Sequence, residues 1–457
     1  MINTTKSKRI ICLLAVVFLS LIIFVSQLHL DSILKISFIL NLLPIFVGTY
    51  YYIHIQRFSI AGGAVIVFMF LFYFLAPILQ LDNDSYELIN NAKYDTDLLL
   101  CGNLFVFVFL TTYFIALFII LQNTTLKVHV GKFSSNSVRM VYILFFFSVI
   151  IAQRSYNEMA IIISTFQLEL DADERIVAMF QRKVLYMIPF VTMSVYILTK
   201  KKNFYVFVGF IILLFLVFLT KNPLLDRRNA IGPVYISLLI FVFKKKINSN
   251  IKIFALLFVM MVVLFPLSSL LTHISIDEWG EKSVNYGELI KEHFVDLHYD
   301  AWANIPASIL YVRKNGYAFG NQLLGTITFW VPRSIWECKP ISTGELIGNF
   351  LMQFEGLHFN NISSTLIVEG YIDFGIFGII LYGFILALFV VWLEKMYNTE
   401  RIYDEIFSVY SSIFIFFILR GALMPAVAYL TGAWISIVLI PSLFNKVIIL
   451  FKFLKVK

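Results

Sequence analysis

The stretch Phe329-Trp-Val-Pro-Arg-Ser-Ile-Trp-Glu-Cys-Lys-Pro340 concentrates aromatic, cationic and proline residues in an otherwise apolar chain. Pro332 and Pro340 lack a backbone N–H and fix φ, so they disfavour a helix interior. The residue before each is pushed toward an extended conformation. The expectation is a stiff, non-helical turn that presents Arg333, Trp336 and Lys339. Two cations flanked by aromatic rings at a membrane surface suit a lipid-linked phosphate, whose oxygens a planar guanidinium binds in bidentate fashion. The competing reading is an interfacial anchor, with Trp at headgroup depth and Arg and Lys snorkelling toward water. Composition alone favours the anchor.

Other cations could join the same chemistry. Arg227 and Arg228 stand in Leu-Leu-Asp-Arg-Arg-Asn-Ala, and Arg420 in Ile-Leu-Arg-Gly-Ala. Each lies near the outer end of an expected membrane span, as does Arg154. Cations at such positions run against the usual topological bias and mark functional sites. They could equally form separate salt bridges, Asp226 with Arg227 or Arg228 and Glu345 with Arg333.

Acid–base chemistry has candidates in His273, His293, His298, His358, Glu345, Glu369 and Asp373. Glu369 and Asp373 are four residues apart at the mouth of an expected span, where a carboxylate can act as a general base. The plainer role is to complement a helix dipole. Metal signals are weak. Asp82-Asn-Asp84 and Asp171-Ala-Asp173 are the kind of pair that helps hold a divalent cation. His293 and His298 are five apart and so share no face of a continuous helix. The sequence has no His-Glu-x-x-His motif, no P-loop, no Gly-x-Gly-x-x-Gly and no Gly-x-Ser-x-Gly elbow. No metal or other cofactor is expected.

The elements that must position these residues are membrane helices. The chain of 457 residues is 60% hydrophobic and 14% charged, with mean hydropathy +0.85. That is too apolar for a soluble domain. About twelve spans are expected, at roughly 10–29, 33–53, 59–80, 98–121, 140–153, 184–199, 203–220, 229–243, 253–272, 375–393, 406–421 and 425–443. The first run is too long for a signal-peptide core and has no cleavage site, so it reads as a retained span. With the N-terminus inside, the inner segments hold 20 of the 36 Lys and Arg, but among acids only Glu394, Glu400, Asp404 and Glu405. This asymmetry obeys the positive-inside rule and puts both termini in the cytoplasm. The net charge of +8 thus follows the membrane rather than a nucleic acid. Three cysteines, Cys12, Cys101 and Cys338, suggest neither a disulfide framework nor a metal site.

Three regions follow: residues 1–272 with nine spans, a large outer loop over 273–374, and residues 375–457 with three spans and a cytoplasmic end. Residues 81–97 read as an acidic outer loop, and 154–183 as amphipathic helix on the membrane surface around Asp171-Ala-Asp-Glu174. Within the large loop, Gly287 to Val312 has helical spacing, with Glu288, Glu292, Asp296 and Asp300 recurring at i+4. Gly316, Gly320 and the proline turn break that pattern, and a second helical piece runs from about Gly344 to Glu355.

The run Pro332-Arg333-Ser-Ile-Trp336-Glu-Cys-Lys339-Pro340 resembles the Pro-Arg-x-x-Trp-x-x-Lys-Pro stretch of bacterial oligosaccharide repeat-unit polymerases, the Wzy-type O-antigen polymerases. Gly316-Tyr-Ala-Phe-Gly320 is similar to the segment that precedes it there. Glu369-Gly-Tyr371-Ile-Asp-Phe374-Gly375-Ile-Phe-Gly378 resembles their Glu-x-Tyr-x-Asn-Phe-Gly-x-x-Gly, with Asp373 where Asn is common. The spacing of Arg333 to Gly344 also matches a pattern in some members. These motifs cover about sixty residues, and the span count and late outer loop match along the chain.

The resemblance implies an all-α, GT-C-like glycosyltransferase in the bacterial plasma membrane, multi-pass, with the large loop outside. Such enzymes move a growing polymer from one undecaprenyl diphosphate carrier to the terminal sugar of another lipid-linked repeat unit. Their partners are the lipid-linked oligosaccharides, the bilayer and, in some systems, a chain-length regulator protein. The related O-antigen ligases are thought to use arginines around the diphosphate without a metal. On that footing Arg333, Lys339, Arg227, Arg228 and Arg420 are the expected diphosphate ligands, and Glu369 or His298 the expected base. The rivals are a lipid-linked oligosaccharide flippase or other transporter, an O-antigen ligase, and a metal-dependent lipid-linked glycosyltransferase using Asp82 and Asp84. A transporter should show paired half-repeats and broken helices. No such repeat stands out in the sequence.

Overall fold

The computed structural model describes residues 4–54, 57–82, 94–124, 135–165, 183–199, 204–223, 226, 228–264, 292–295 and 297–455. Every regular element among them is helical. In chain order the main helices are α1 (Thr4–Gln27), α2 (Ser32–His54), α3 (Ile60–Asp82), α4 (Thr96–Gln122), α5 (Ser135–Thr165), α6 (Leu185–Thr199), α7 (Phe204–Thr220), α8 (Arg228–Val242) and α9 (Asn250–Leu264). Three shorter helices follow, α10 (Asn304–Asn315), α11 (Asn321–Ile327) and α12 (Thr343–Phe354). Last come α13 (Leu366–Tyr397), α14 (Ile402–Arg420) and α15, which starts as Leu423–Trp434 and continues through a π turn into Ile440–Lys455.

Seven of these are long and apolar enough to cross a membrane: α2, α3, α4, Met140–Glu158 within α5, α13, α14 and Leu423–Val447 within α15. The protein is an all-helical, polytopic membrane protein. The other expected spans overlap shorter apolar helices, Ile11–Gln27, Leu185–Thr199, Tyr205–Thr220, Arg228–Val242 and Asn250–Leu264, the last part of the span expected at 253–272 lying outside the described residues.

Three local expectations change. No separate surface helix begins at residue 154, because the helix of the fifth span, α5, runs unbroken to Thr165. Arg154 and Glu158 therefore sit one turn apart on α5 as an ion pair, 3.4 Å from Nε to Oε1. Second, the helical spacing from Gly287 to Val312 does not yield one helix. Residues 292–295 form a helical turn, Leu297–Tyr299 a 3-10 turn, and α10 starts only at Asn304. The break turns Asp300 inward, where it is 3% exposed. A continuous helix would instead stack like charges at i+4, which is unfavourable. Third, α13 begins at Leu366, earlier than the expected span, and is interrupted at Phe374 and Gly375. Gly375 has φ 61°, a conformation only glycine adopts readily. Across that break Gly370 and Gly378 touch through their backbones: a Cβ on Gly378 would lie 1.9 Å from the Gly370 carbonyl oxygen.

The chain divides into two compact units. The first comprises Met1–Thr125, Asn248–Val391 and Ile415–Val427; the second comprises Leu126–Ile247, Trp392–Phe414 and Ala428–Lys457. In the first, α2 and α4 are tied by buried amides: Asn103 Nδ2 donates to Ser37 Oγ at 2.7 Å. The indole N–H of the fully buried Trp302 donates to Asn103 Oδ1 at 2.9 Å. From α3, Gln80 Nε2 donates to the carbonyls of Phe294 and Tyr299 at 3.0 and 3.1 Å. These bonds tie the turns before α10 to α3 and satisfy two of their backbone carbonyls.

In the second unit, hydroxyls join helices in the same way. Ser148 and Thr192 share a 2.8 Å bond between α5 and α6. Ser155 donates to the Leu219 carbonyl on α7, and Tyr235 on α8 to that of Lys221. Lys244 pairs with Glu405. Such contacts satisfy polar groups that lipid cannot.

A buried polar centre in the first unit

Three buried carboxylates organise this site, and each accepts hydrogen bonds from a segment distant in sequence. Asp373, fully buried, accepts the backbone N–H groups of Gln322 and Leu323 at 3.1 and 2.8 Å. It thereby caps α11, whose first N–H groups have no partner within the helix. Glu369 is 1% exposed. Its Oε2 accepts the Thr343 hydroxyl at 2.6 Å, and its Oε1 accepts the Leu423 N–H at 2.8 Å. So Glu369 joins the start of α12 to the start of α15. The dipole that each acid complements belongs to another helix, not to α13, the helix that carries both.

Asp300 is the third. Its Oδ2 accepts the Ser363 N–H at 3.0 Å and the Asn304 amide at 3.3 Å. Its Oδ1 faces Arg420 Nη2 at 3.1 Å. The arginine side chain keeps 33% of its surface open, so its charge is both fixed and accessible. Asn304 in turn donates to the Ser363 carbonyl at 3.0 Å.

The proline turn adjoins this centre. A Cβ on Gly325 of α11 would lie 2.4 Å from Pro340 Cγ and 2.9 Å from Met424 Cε, so turn, α11 and the first residues of α15 are in contact. The N–H of Ala318 donates to the Ile372 carbonyl at 2.8 Å. Gly316–Gly320 and Pro332–Pro340, on either side of α11, therefore meet the later segment Glu369–Gly378 in one place.

Within the turn, the two cations face inward onto the loop's own backbone. Arg333 donates through Nη1 to the Lys339 carbonyl at 2.6 Å and through Nη2 to that of Pro340 at 3.3 Å. Lys339 Nζ donates to the carbonyls of Phe329 and Val331 at 2.6 and 2.9 Å. Partial burial, and then the neighbouring Arg333, hold the Lys339 pKa below its ordinary value. Arg333 remains exposed and forms no ion pair with Glu345. The ammonium and guanidinium have further N–H donors beyond those used here.

The remaining candidates lie as follows. His298 is half-buried in the 3-10 turn two residues before Asp300. Its ring centroid is 6.1 Å from that of His293, because the chain breaks between them instead of continuing one helix. Arg228 opens α8, which belongs to the second unit. Asp226, offered as its partner in sequence, accepts the Asn222 N–H at 2.9 Å. Arg227, His273, Asp84 and Asp171–Glu174 lie outside the described residues. Asp82 accepts the His29 N–H at 2.9 Å. Among the described residues no cluster of three or more His, Cys, Asp or Glu could hold a metal.

Sequence reasoning missed Asp300, Thr343, Asn304 and Ser363. Asp300 was hidden by its i+4 register with other acids. The run Ser363-Ser364-Thr365 directly before apolar Leu366 was an available signal, since small hydroxyl residues gather where a helix begins. Comparison of the chain with protein-family models, with curated proteins and with solved structures finds no match.

Proposed function

We propose that this protein polymerises undecaprenyl-diphosphate-linked oligosaccharide repeat units at the outer face of a bacterial plasma membrane, with all twelve apolar segments spanning and both termini cytoplasmic. The observation that carries this reading is the meeting of the three resembling segments around Glu369, Asp373 and Pro340. The first two segments are neighbours along the chain, but a chance match at Glu369–Gly378 has no reason to pack against them.

In the proposed reaction the terminal hydroxyl of the acceptor sugar attacks the anomeric carbon of the donor polymer. The new C–O bond forms as the bond to the diphosphate breaks, and the electron pair leaves with the diphosphate. Fixed cations aimed at that developing charge lower the barrier. Arg420 serves this role most directly, being held by Asp300 with part of its side chain open. Arg333 and Lys339 add charge at the turn, and Arg227 and Arg228 are the further candidates. The hydroxyl proton passes to a base. Glu369 is the first candidate, through the Thr343 hydroxyl that already donates to it, and His298 is the second.

One observation favours a second reading. The interruption of α13 at Phe374 and Gly375 is the kind of broken helix found in transporters, and a lipid-linked oligosaccharide flippase would use it. The break lies in the first third of α13 rather than at its middle, so the polymerase remains the first reading, ahead also of an O-antigen ligase. Cells lacking the protein separate the three. A polymerase mutant makes lipid-A-linked glycan of one repeat, a ligase mutant accumulates long polymer on the carrier, and a flippase mutant holds single repeats on the cytoplasmic side.

A further inference from the structure

Helix α11 is amphipathic in the wrong sense for water. Its buried face is Gln322, Gly325 and Thr326, whereas Leu324 and Ile327 are 49% and 62% exposed. The flanking residues extend this surface: Phe319 is 83% exposed, Trp330 72% and Ile335 78%. A soluble surface rarely gathers large apolar side chains this densely. A helix that turns its apolar face outward and its polar face inward is one that lies against hydrocarbon.

Much of the backbone of the same segment is bonded within the protein, as hydrocarbon requires of the part that enters it. An irregular chain is tolerated at membrane depth only where its polar groups are satisfied within the protein. Here the carbonyls of Phe329, Val331, Lys339 and Pro340 are taken by the Arg333 and Lys339 side chains. The N–H groups of Val331, Ile335, Trp336 and Lys339 bond to carbonyls of Thr328, Pro332, Pro332 and Trp336. Pro332 and Pro340 have no N–H to satisfy. Some of the N–H donors of Arg333 and Lys339 close the turn on itself.

We propose that residues 319–336 form an interfacial wedge. Phe319, Leu324, Ile327, Trp330 and Ile335 enter the boundary between headgroups and acyl chains of the bilayer that holds the spans. The wedge is independent of the polymerase reading, since a transporter or ligase could carry it equally. If the site does process a lipid-linked substrate, the wedge sets the depth at which the carrier meets Pro340 and Arg420.

The test is site-directed spin labelling of the full-length protein in lipid nanodiscs. Single cysteines replace Ile327, Trp330 or Ile335 in a background without Cys12, Cys101 and Cys338, and native Cys338, exposed in the same turn, gives a position at the wedge base. The reference is Gln353→Cys, exposed at the far end of α12, about 15 Å along the helix from Thr343. Collision rates are measured with oxygen, which concentrates in hydrocarbon, and with a water-soluble nickel chelate. The proposal expects oxygen collisions to exceed nickel collisions at 327, 330 and 335, with a higher ratio there than at 353. Nickel-dominated collisions at those positions, or a ratio equal to that at 353, overturn it by showing a surface in water. Low collision rates with both reagents also overturn it, showing that protein, such as a second copy of the chain, covers the face.

Discussion

Asp300 and Arg420 are 120 residues apart in sequence, yet Arg420 Nη2 stands 3.1 Å from Asp300 Oδ1. The carboxylate is nearly buried and also bonded to Ser363 and Asn304, whereas the arginine side chain as a whole keeps a third of its surface open. An ion pair with that asymmetry holds a cation in place and still presents it. Asp300→Asn should therefore lower stability by about 1.5–3 kcal/mol, the worth of a charged hydrogen bond, read as a fall in thermal midpoint in detergent. It should lower activity as well, because Arg420 loses its fixed position. Arg420→Lys should keep most of the stability and lose most of the activity, since an ammonium does not reproduce the planar fork. Full activity in Arg420→Lys would remove Arg420 from the diphosphate site.

Glu369 serves two helices and is also the first candidate for the base. Glu369→Gln keeps an acceptor for the Leu423 N–H, so protein level should hold. Loss of a general base typically slows a reaction by ~10²–10⁴-fold, enough to abolish the polymer ladder. Glu369→Ala should additionally cost about 0.5–2 kcal/mol, as the loss of a helix cap does. A normal ladder from Glu369→Gln moves the base elsewhere, and His298→Ala is then the variant to examine.

Arg333 closes its own turn and is also a proposed phosphate ligand. Arg333→Lys should retain some of the carbonyl contacts but lose bidentate binding, so long polymer should fall while the protein accumulates normally. Arg333→Ala should lose nearly all activity. One charge-assisted contact of about 1.5–3 kcal/mol corresponds to roughly ten- to a hundredfold in rate. A full ladder from Arg333→Ala would show that the residue is an anchor only.

Gly375 carries φ 61° and ψ −144° where α13 is interrupted. Gly375→Ala should destabilise the protein by about 1–3 kcal/mol, the cost of strain in a region that only glycine occupies readily. The same variant should shift Asp373, two residues earlier, off the N-terminus of α11. Limited proteolysis near Asn321 should then be faster than in the wild type; unchanged cleavage and an unchanged thermal midpoint would show that the break adapts.

The membrane class was legible because apolar runs of spanning length need no tertiary knowledge. Among the described residues each expected span overlaps an apolar helix, and seven of these helices are of spanning length. The turn at Pro332–Pro340 was legible too, since proline acts through its own covalent structure. Partnerships were not. The i+4 spacing of Glu288, Glu292, Asp296 and Asp300 suggested one solvent-facing stripe, and nothing local marked Asp300 as the one that turns inward to Arg420. Likewise Glu369 and Asp373 read as charges for their own helix dipole, because the N–H groups they accept lie 54 residues later and 51 residues earlier. The inward aim of Arg333 and Lys339 depends on carbonyls that only the folded turn brings into reach.

The central claim is that this chain joins repeat units through bond transfer from a lipid diphosphate, and reconstitution tests it most directly. Purified protein in proteoliposomes is given undecaprenyl-diphosphate-linked repeat units extracted from cells lacking it, with a chelator present. The account predicts carrier-linked chains of several repeats, one undecaprenyl diphosphate released per linkage formed, and loss of both products in Arg420→Ala. Repeat units that stay single while moving across the membrane would contradict it and assign the protein to transport.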